Sequence, residues 1–284
     1  MEFYHNWTLI HDDIIDNDST RRGQKSVHAG VADAFAGSGE KAAEYGRDIA
    51  ILAGDALHSA AVAQIARLAE NGVSAEVALK ILSLLEGNYG LHLISGEALD
   101  TRQGVILSPR GFWNVKEEEV LEMIRGKTGA LFAVSVLAGG MIGLDSADET
   151  DPRLTALCDF AFHCGTAFQL QDDILGLTSD EKTLGKPIFS DLREGKPTLL
   201  LLRSYANASE NERCFLRETV GKNAAEPELV KARDIILKNG GVKEAAQMAF
   251  EELEKAKKAL LSVPAGKNRD LLEEWRCFMA DRKL

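Results

Sequence analysis

Asp12 and Asp16 sit in the run Leu9-Ile10-His11-Asp12-Asp13-Ile14-Ile15-Asp16. On a helix, residues four apart share a face, so these carboxylates stack one above the other. Like charges at that spacing repel, and a hard divalent cation relieves the repulsion. Magnesium takes oxygen ligands, keeps several waters and typically links one or two carboxylates to substrate phosphates. Alone, the run reads equally well as a solvated acidic helix end. A second run, Phe168-Gln169-Leu170-Gln171-Asp172-Asp173-Ile174-Leu175-Gly176, sets two more aspartates inside an otherwise apolar helix. Aspartate is rarely buried without a partner, so this pair should face a polar cavity. Two such helices facing one another across a bundle would form an acidic mouth able to hold a metal cluster.

Cations follow both runs. Arg21-Arg22 comes just after the first, Lys127-Thr128 opens a helix, and Lys186 and Lys196 flank the loop after the second. Arginine grips diphosphate oxygens through bidentate forks and lysine acts on them as a point charge. Any one of these residues could be an ordinary surface charge. Their placement relative to both acidic runs is the informative feature.

Long helices are needed to position such groups. Apolar residues recur at steps of three and four over Ile49–Leu68 and Val73–Leu99, with Glu70-Asn71-Gly72 as a stop between them. Thr128–Ile142 and Leu154–Leu177 are similarly periodic. Prolines number six and none precedes Pro109. The pattern predicts an all-α fold, a single bundle of long antiparallel helices around a central cavity, with residues 1–284 as one domain. Three stretches read as loops: Asn17–His28, Ala34–Arg47 and Thr178–Lys196. A net charge of −11 argues against nucleic acid as the main partner. Four cysteines without CxxC spacing read as reduced thiols. No stretch approaches the roughly 18 uninterrupted apolar residues of a membrane span, and the cytoplasm is the expected compartment.

The ordered motifs HDDIID, TRRG, GKTG, FQLQDD and GKPIFSDLREGKPT resemble the polyprenyl (isoprenyl) diphosphate synthase family. Within it, the sequence is most similar to the archaeal geranylgeranyl diphosphate synthases. The resemblance runs in order from about residue 2 to 200. It implies an isoprenoid-synthase bundle, a magnesium cofactor, a homodimer, and condensation of isopentenyl diphosphate with an allylic diphosphate. Asp12, Asp16 and Asp172 then resemble the magnesium ligands, with Asp13 and Asp173 beside them. Arg21, Lys127, Thr128, Gln169, Lys186 and Lys196 resemble the groups that hold the allylic diphosphate. His5 and Arg22 resemble those that hold isopentenyl diphosphate, and His5 lies nearly two helical turns before Asp12, on the same face.

Three departures bear on function. The GKRLRP-like motif that grips isopentenyl diphosphate in the family does not occur here, so weak condensation is expected. Gly176 replaces the last aspartate of the second motif, and residues 34–47 read as an insertion. Product length should be set below Asp12. Trp7, about 7.5 Å along the helix, is the expected floor, with small Thr8 beside it and Tyr4 and Phe3 deeper, which fits a twenty-carbon product. Alternatives are a farnesyl diphosphate synthase, a class I terpene cyclase, a metal phosphohydrolase using His11 and Asp12, and a non-catalytic subunit of a heteromeric synthase.

Overall fold

The computed structural model describes residues 1–35, 39–179 and 188–280, with the backbone alone given for residues 102–110 and 280. The chain divides into two compact units. Of the described residues, the first comprises those in Met1–Ser83 and Leu144–Ala147, and the second those in Leu84–Gly143, Asp148–Ser179 and 188–280.

In the first unit, α1 (Glu2–Ile15) and α2 (Val27–Ala34) pack on α3 (Glu40–Ala66), followed by α4 (Ala75–Ser83). The packing follows from composition. Along α3 the buried positions Ala42, Gly46, Ala50 and Gly54 recur every four residues, giving a small-residue stripe against which neighbouring helices approach closely. The expected stop after α3 is present: Gly72 caps a short 3₁₀ turn (Arg67–Asn71) at φ 90°, in the left-handed region open to glycine.

In the second unit, a π-helical turn (Leu84–Tyr89) leads into α5 (Gly90–Arg110). Then come α6 (Glu117–Ile124), a second π-helical turn (Arg125–Gly129), α7 (Ala130–Leu144) and the 27-residue α8 (Pro152–Thr178). Asp151 starts α8 by accepting from the Arg153 amide at 2.8 Å, with Pro152 at the first helical position. The remaining helices are α9 (Ser190–Glu194), α10 (Leu199–Asn207), α11 (Glu210–Thr219), α12 (Glu226–Lys238), α13 (Gly241–Leu260) and α14 (Lys267–Ala280). The α8–α13 contact is the backbone of this unit's core. Ala245, Ala249, Leu253, Ala256 and Leu260 form the buried stripe of α13, and the last four join Phe160, Cys164, Ala167 and Leu170 of α8 in one apolar cluster. Each fully buried large side chain there contributes about 1.5–3 kcal/mol relative to exposure.

The structure corrects several sequence expectations. Residues 17–28 contain a two-stranded hairpin, Thr20–Arg21 with Gln24–Lys25. Residues 34–47 are helical at both ends of the expected loop, because α2 ends at Ala34 and α3 already begins at Glu40; the alanine-rich run from Glu40 sustains a helix. The second apolar window continues past Leu99 to Arg110. Part of the Thr178–Lys196 loop is the short helix α9, and Lys186 lies outside the described residues. Phe3 is 46% exposed rather than buried beneath Trp7. Two helical stretches, Glu40–Asn71 and Glu117–Leu144, are long and apolar enough to cross a membrane by length and composition alone, though charged residues interrupt both and neither holds 18 uninterrupted apolar residues. All four cysteines are free thiols.

Candidate functional site

The acidic end of α1 is tied to the hairpin that follows it. Arg22 and Gly23 both adopt positive φ (53° and 73°), the backbone of a tight two-residue hairpin turn. That turn returns Arg21 to the helix end, where its Nε donates to Asp13 Oδ1 at 2.7 Å and its Nη2 to Asp12 Oδ2 at 2.8 Å. Asp13 is only 3% exposed. Burial raises its carboxyl pKa above the ordinary range, and Arg21 works against that rise. Burial also opposes the charge on Arg21, but the hydrogen bonds and charges of Asp13 and Asp12 outweigh it and hold the guanidinium above its ordinary pKa. Asp16 caps α1, one turn beyond Asp12, and is half-buried. Arg22 is exposed, and His5 Nδ1 lies 3.7 Å from Glu2 Oε2.

Lower on α1, the Trp7 indole packs edge-on to Tyr4 (4.8 Å) and against His58 of α3 (4.6 Å). Its Nε1–H donates to His11 Nδ1 at 3.1 Å, so the His11 proton sits on Nε2, which faces the Ile51 carbonyl at 3.3 Å. Both His11 nitrogens are therefore committed, which removes the metal-ligand role required by the phosphohydrolase reading. Thr8 turns its hydroxyl back onto its own helix, donating to the His5 carbonyl at 2.8 Å.

In the second unit the acidic run of α8 meets lysines from two turns. The GKTG sequence forms the π-helical turn Arg125–Gly129. Glycines hold it tightly between two helices. A Cβ on Gly96 of α5 would lie 2.6 Å from the Gly126 carbonyl carbon, and one on Gly165 of α8 would lie 2.9 Å from Gly129 Cα. This close approach sets Lys127 Nζ 2.7 Å from Asp100 Oδ2 and 3.0 Å from Glu97 Oε2, both on α5. Thr128 Oγ1 donates to Gln169 Oε1 at 2.8 Å, and Gln169 Nε2 donates to Asp173 Oδ1 at 2.9 Å. From the turn after α9, Lys196 Nζ stands 3.5 Å from the same Asp100 oxygen and 3.1 Å from Glu194 Oε2.

Asp173 is buried, and its carboxyl pKa is raised well above the ordinary value. Burial is the main cause, and the charges of Asp191, Asp172 and Asp100 add to it against the Gln169 hydrogen bond. Of the predicted residues, the second unit thus brings together Lys127, Thr128, Gln169, Asp173 and Lys196, with half-buried Asp172 one residue before Asp173. The first unit brings together Asp12, Asp13 and Arg21, and leaves His5 and Arg22 outside that ion pair. Sequence reasoning missed Glu97, Asp100 and Asp191. Glu97 and Asp100 are three apart on α5, a same-face spacing visible in the sequence, and Asp191 lies inside the GKPIFSDLREGKPT motif.

The donor chemistry suits a hard cation. The acids are oxygen donors, and neighbouring carboxylates add to the burial that raises the pKa of Asp13 and of Asp173. Among the described residues no group of three or more His, Cys, Asp or Glu could hold a metal unaided. A cation here would complete its shell with water and phosphate, as magnesium does.

An all-helical chain presenting carboxylates and lysines in this arrangement is of the isoprenoid-synthase class, and solved structures share the fold. Geranylgeranyl pyrophosphate synthetase from Pyrococcus horikoshii matches with TM-score 0.81 and 35% identity over 99% of this chain and 77% of that one. A Corynebacterium glutamicum geranylgeranyl pyrophosphate synthase, solved with isoprenyl diphosphate and magnesium, matches with TM-score 0.83 and 29% identity over 99% and 77%. The polyprenyl synthetase family model matches residues 1–235, and the chain belongs to that family. Geranylgeranyl diphosphate synthase of Sulfolobus acidocaldarius is 38% identical over 239 residues, or 84% of this chain. That match spans 64% of the length of the Sulfolobus protein.

Proposed function

We propose that this chain is a short-chain trans-prenyltransferase joining isopentenyl diphosphate to an allylic diphosphate, with geranylgeranyl diphosphate as product. The observation that carries this reading is the meeting of Lys127, Lys196 and the Thr128–Gln169 pair beside buried Asp173. Cations and amide donors suited to diphosphate oxygens stand there next to acids suited to a divalent ion.

Asp12, Asp16 and Asp172 are the magnesium ligands in this reading. Magnesium, when bound, neutralises charge on the departing diphosphate. Arg21, Lys127, Thr128, Gln169, Lys186 and Lys196 hold the allylic diphosphate. His5 and Arg22 hold isopentenyl diphosphate. The lysines and Arg21 favour breaking of the allylic C–O bond because they stabilise the negative charge that grows on the leaving oxygens. The double bond of isopentenyl diphosphate then attacks the allylic carbon, a C–C bond forms, and the released diphosphate takes the proton that leaves. No protein nucleophile is required. Residues 1–284 act as one catalytic domain in the cytoplasm, and the chain pairs with a second copy through its long helices, where Leu91 and Ile94 of α5 are exposed at 61% and 50%. Trp7 sets the product length, with Thr8 beside it.

Purified protein incubated with magnesium, isopentenyl diphosphate and each allylic diphosphate in turn tests the proposal. Weak elongation, to a twenty-carbon product, is the expected result. Cyclised hydrocarbon, or allylic binding without elongation, would replace this reading with a cyclase or a non-catalytic subunit.

A further inference from the structure

We propose that Asp100 is a positioning residue that makes Lys127 and Lys196 a single clamp for a diphosphate. The inference rests on the diphosphate-binding role proposed above for the two lysines.

Each lysine has a carboxylate of its own: Glu97 for Lys127 at 3.0 Å and Glu194 for Lys196 at 3.1 Å. What they share is one atom, Asp100 Oδ2, at 2.7 Å and 3.5 Å. Two ammonium groups drawn to one oxygen repel each other unless a negative charge lies between them. Asp100 supplies that charge. It is 5% exposed on α5, so packing fixes it where a surface carboxylate would swing. The close approach of Gly96 to the Gly126–Lys127 backbone fixes the register between α5 and the turn that carries Lys127.

The consequence is selectivity for two linked phosphoryl groups over one. A diphosphate offers oxygens to both cations at once and takes over from Asp100 as the charge between them. A single phosphate satisfies one cation and leaves the other with Asp100. Without the Asp100 carboxylate, each lysine retires to its own partner and the pair opens.

Calorimetric titration of inorganic pyrophosphate and of inorganic phosphate into wild type and Asp100→Asn tests this. The ratio of pyrophosphate to phosphate affinity should fall about tenfold, about 1.4 kcal/mol, and Asp100→Glu should recover part of it. A simple charge effect would tighten both anions alike; an unchanged ratio therefore overturns the proposal. Should Asp100→Asn fail to fold, Lys127→Met, Lys196→Met and the double variant carry the test. A shared clamp predicts non-additive losses in pyrophosphate affinity, whereas additivity within about twofold overturns it. A wild-type chain that binds no pyrophosphate sinks the parent reading as well; one that binds it with the ratio unmoved in Asp100→Asn sinks the clamp alone.

Discussion

His163 Nδ1 of α8 stands 2.6 Å from Glu252 Oε2 of α13, joining the two helices whose contact makes the core of the second unit. The other carboxylate oxygen of Glu252 accepts from Lys255 at 2.7 Å. Glu252 is 5% exposed. Burial disfavours its charge, but His163 and Lys255 outweigh burial and lower the carboxyl pKa to about 2.

A carboxyl pKa depressed in the folded state stabilises the fold above its unfolded value, about 4.3, and that stability is lost as pH falls through the folded value. Glu252 should therefore contribute about 2–3 kcal/mol at pH 6, declining between pH of about 4.5 and 2. Thermal melts across this range should show a shallower pH slope for Glu252→Gln than for wild type, together with a lower Tm at pH 6. Parallel curves would remove Glu252 from acid stability.

Gly96 makes a second prediction through backbone geometry alone. A methyl at that position would lie 2.6 Å from the Gly126 carbonyl carbon, and neither that carbonyl nor the neighbouring Lys127 amide can move aside as a flexible side chain would. Gly96→Ala should cost about 1–3 kcal/mol through overpacking and shift Lys127 away from Asp100. Denaturant unfolding reads the first effect and pyrophosphate titration the second. Retention of both stability and affinity would show that α5 accommodates the methyl.

These cases mark how far the sequence could be read. The long elements were located because apolar and small residues recur over many turns of α3, α5, α7 and α8, and Gly72 marked a stop in the left-handed region open to glycine. Candidate charged groups could be picked out for a related reason: Asp12, Asp16, Lys127 and Lys196 lie in short motifs whose residue types already imply charge. The spacing of Glu97 and Asp100 was visible but their meeting with Lys127 was not, because it arises from the approach of α5 to the GKTG turn, a tertiary contact allowed by Gly96 and Gly126. The hairpin was hidden too. Two residues per strand give no alternation to detect, and its turn places Arg22, a non-glycine residue, at positive φ.

Arg21 joins the stability of the α1 end to the diphosphate-holding role proposed for it above. Its fork bridges Asp12 and Asp13, and loss of the guanidinium leaves Asp13 buried without its counter-charge. Breaking a buried pair from one side costs about 3–5 kcal/mol, and the 30% exposure of Arg21 reduces that here, to about 1–3 kcal/mol. Arg21→Ala should lower the Tm and raise the KM for the allylic diphosphate. Arg21→Lys should recover much of the stability but less of the KM, because an ammonium is a point charge without the planar fork. Equal recovery of both by lysine would mean that charge alone matters at this position.

The product-length role proposed for Trp7 can be separated from its packing. Its ring contacts Tyr4 and His58, and its N–H is spent on His11. Five residues from Asp12 places it about 140° around α1, whereas Thr8, four away, lies only about 40° from the Asp12 face. If the growing chain passes along α1, two substitutions separate the roles of the ring. Trp7→Phe keeps an aromatic wall and loses the hydrogen bond to His11, at a cost of about 1 kcal/mol, and should leave the product profile as in wild type. Trp7→Ala removes the wall, costs about 3–5 kcal/mol, and should shift chromatographed products beyond twenty carbons. Thr8→Phe, which introduces bulk on the Asp12 face, should shorten them. A Trp7→Ala enzyme with the wild-type profile, alongside a shortened one for Thr8→Phe, would transfer the length limit from Trp7 to the face that Thr8 shares with Asp12.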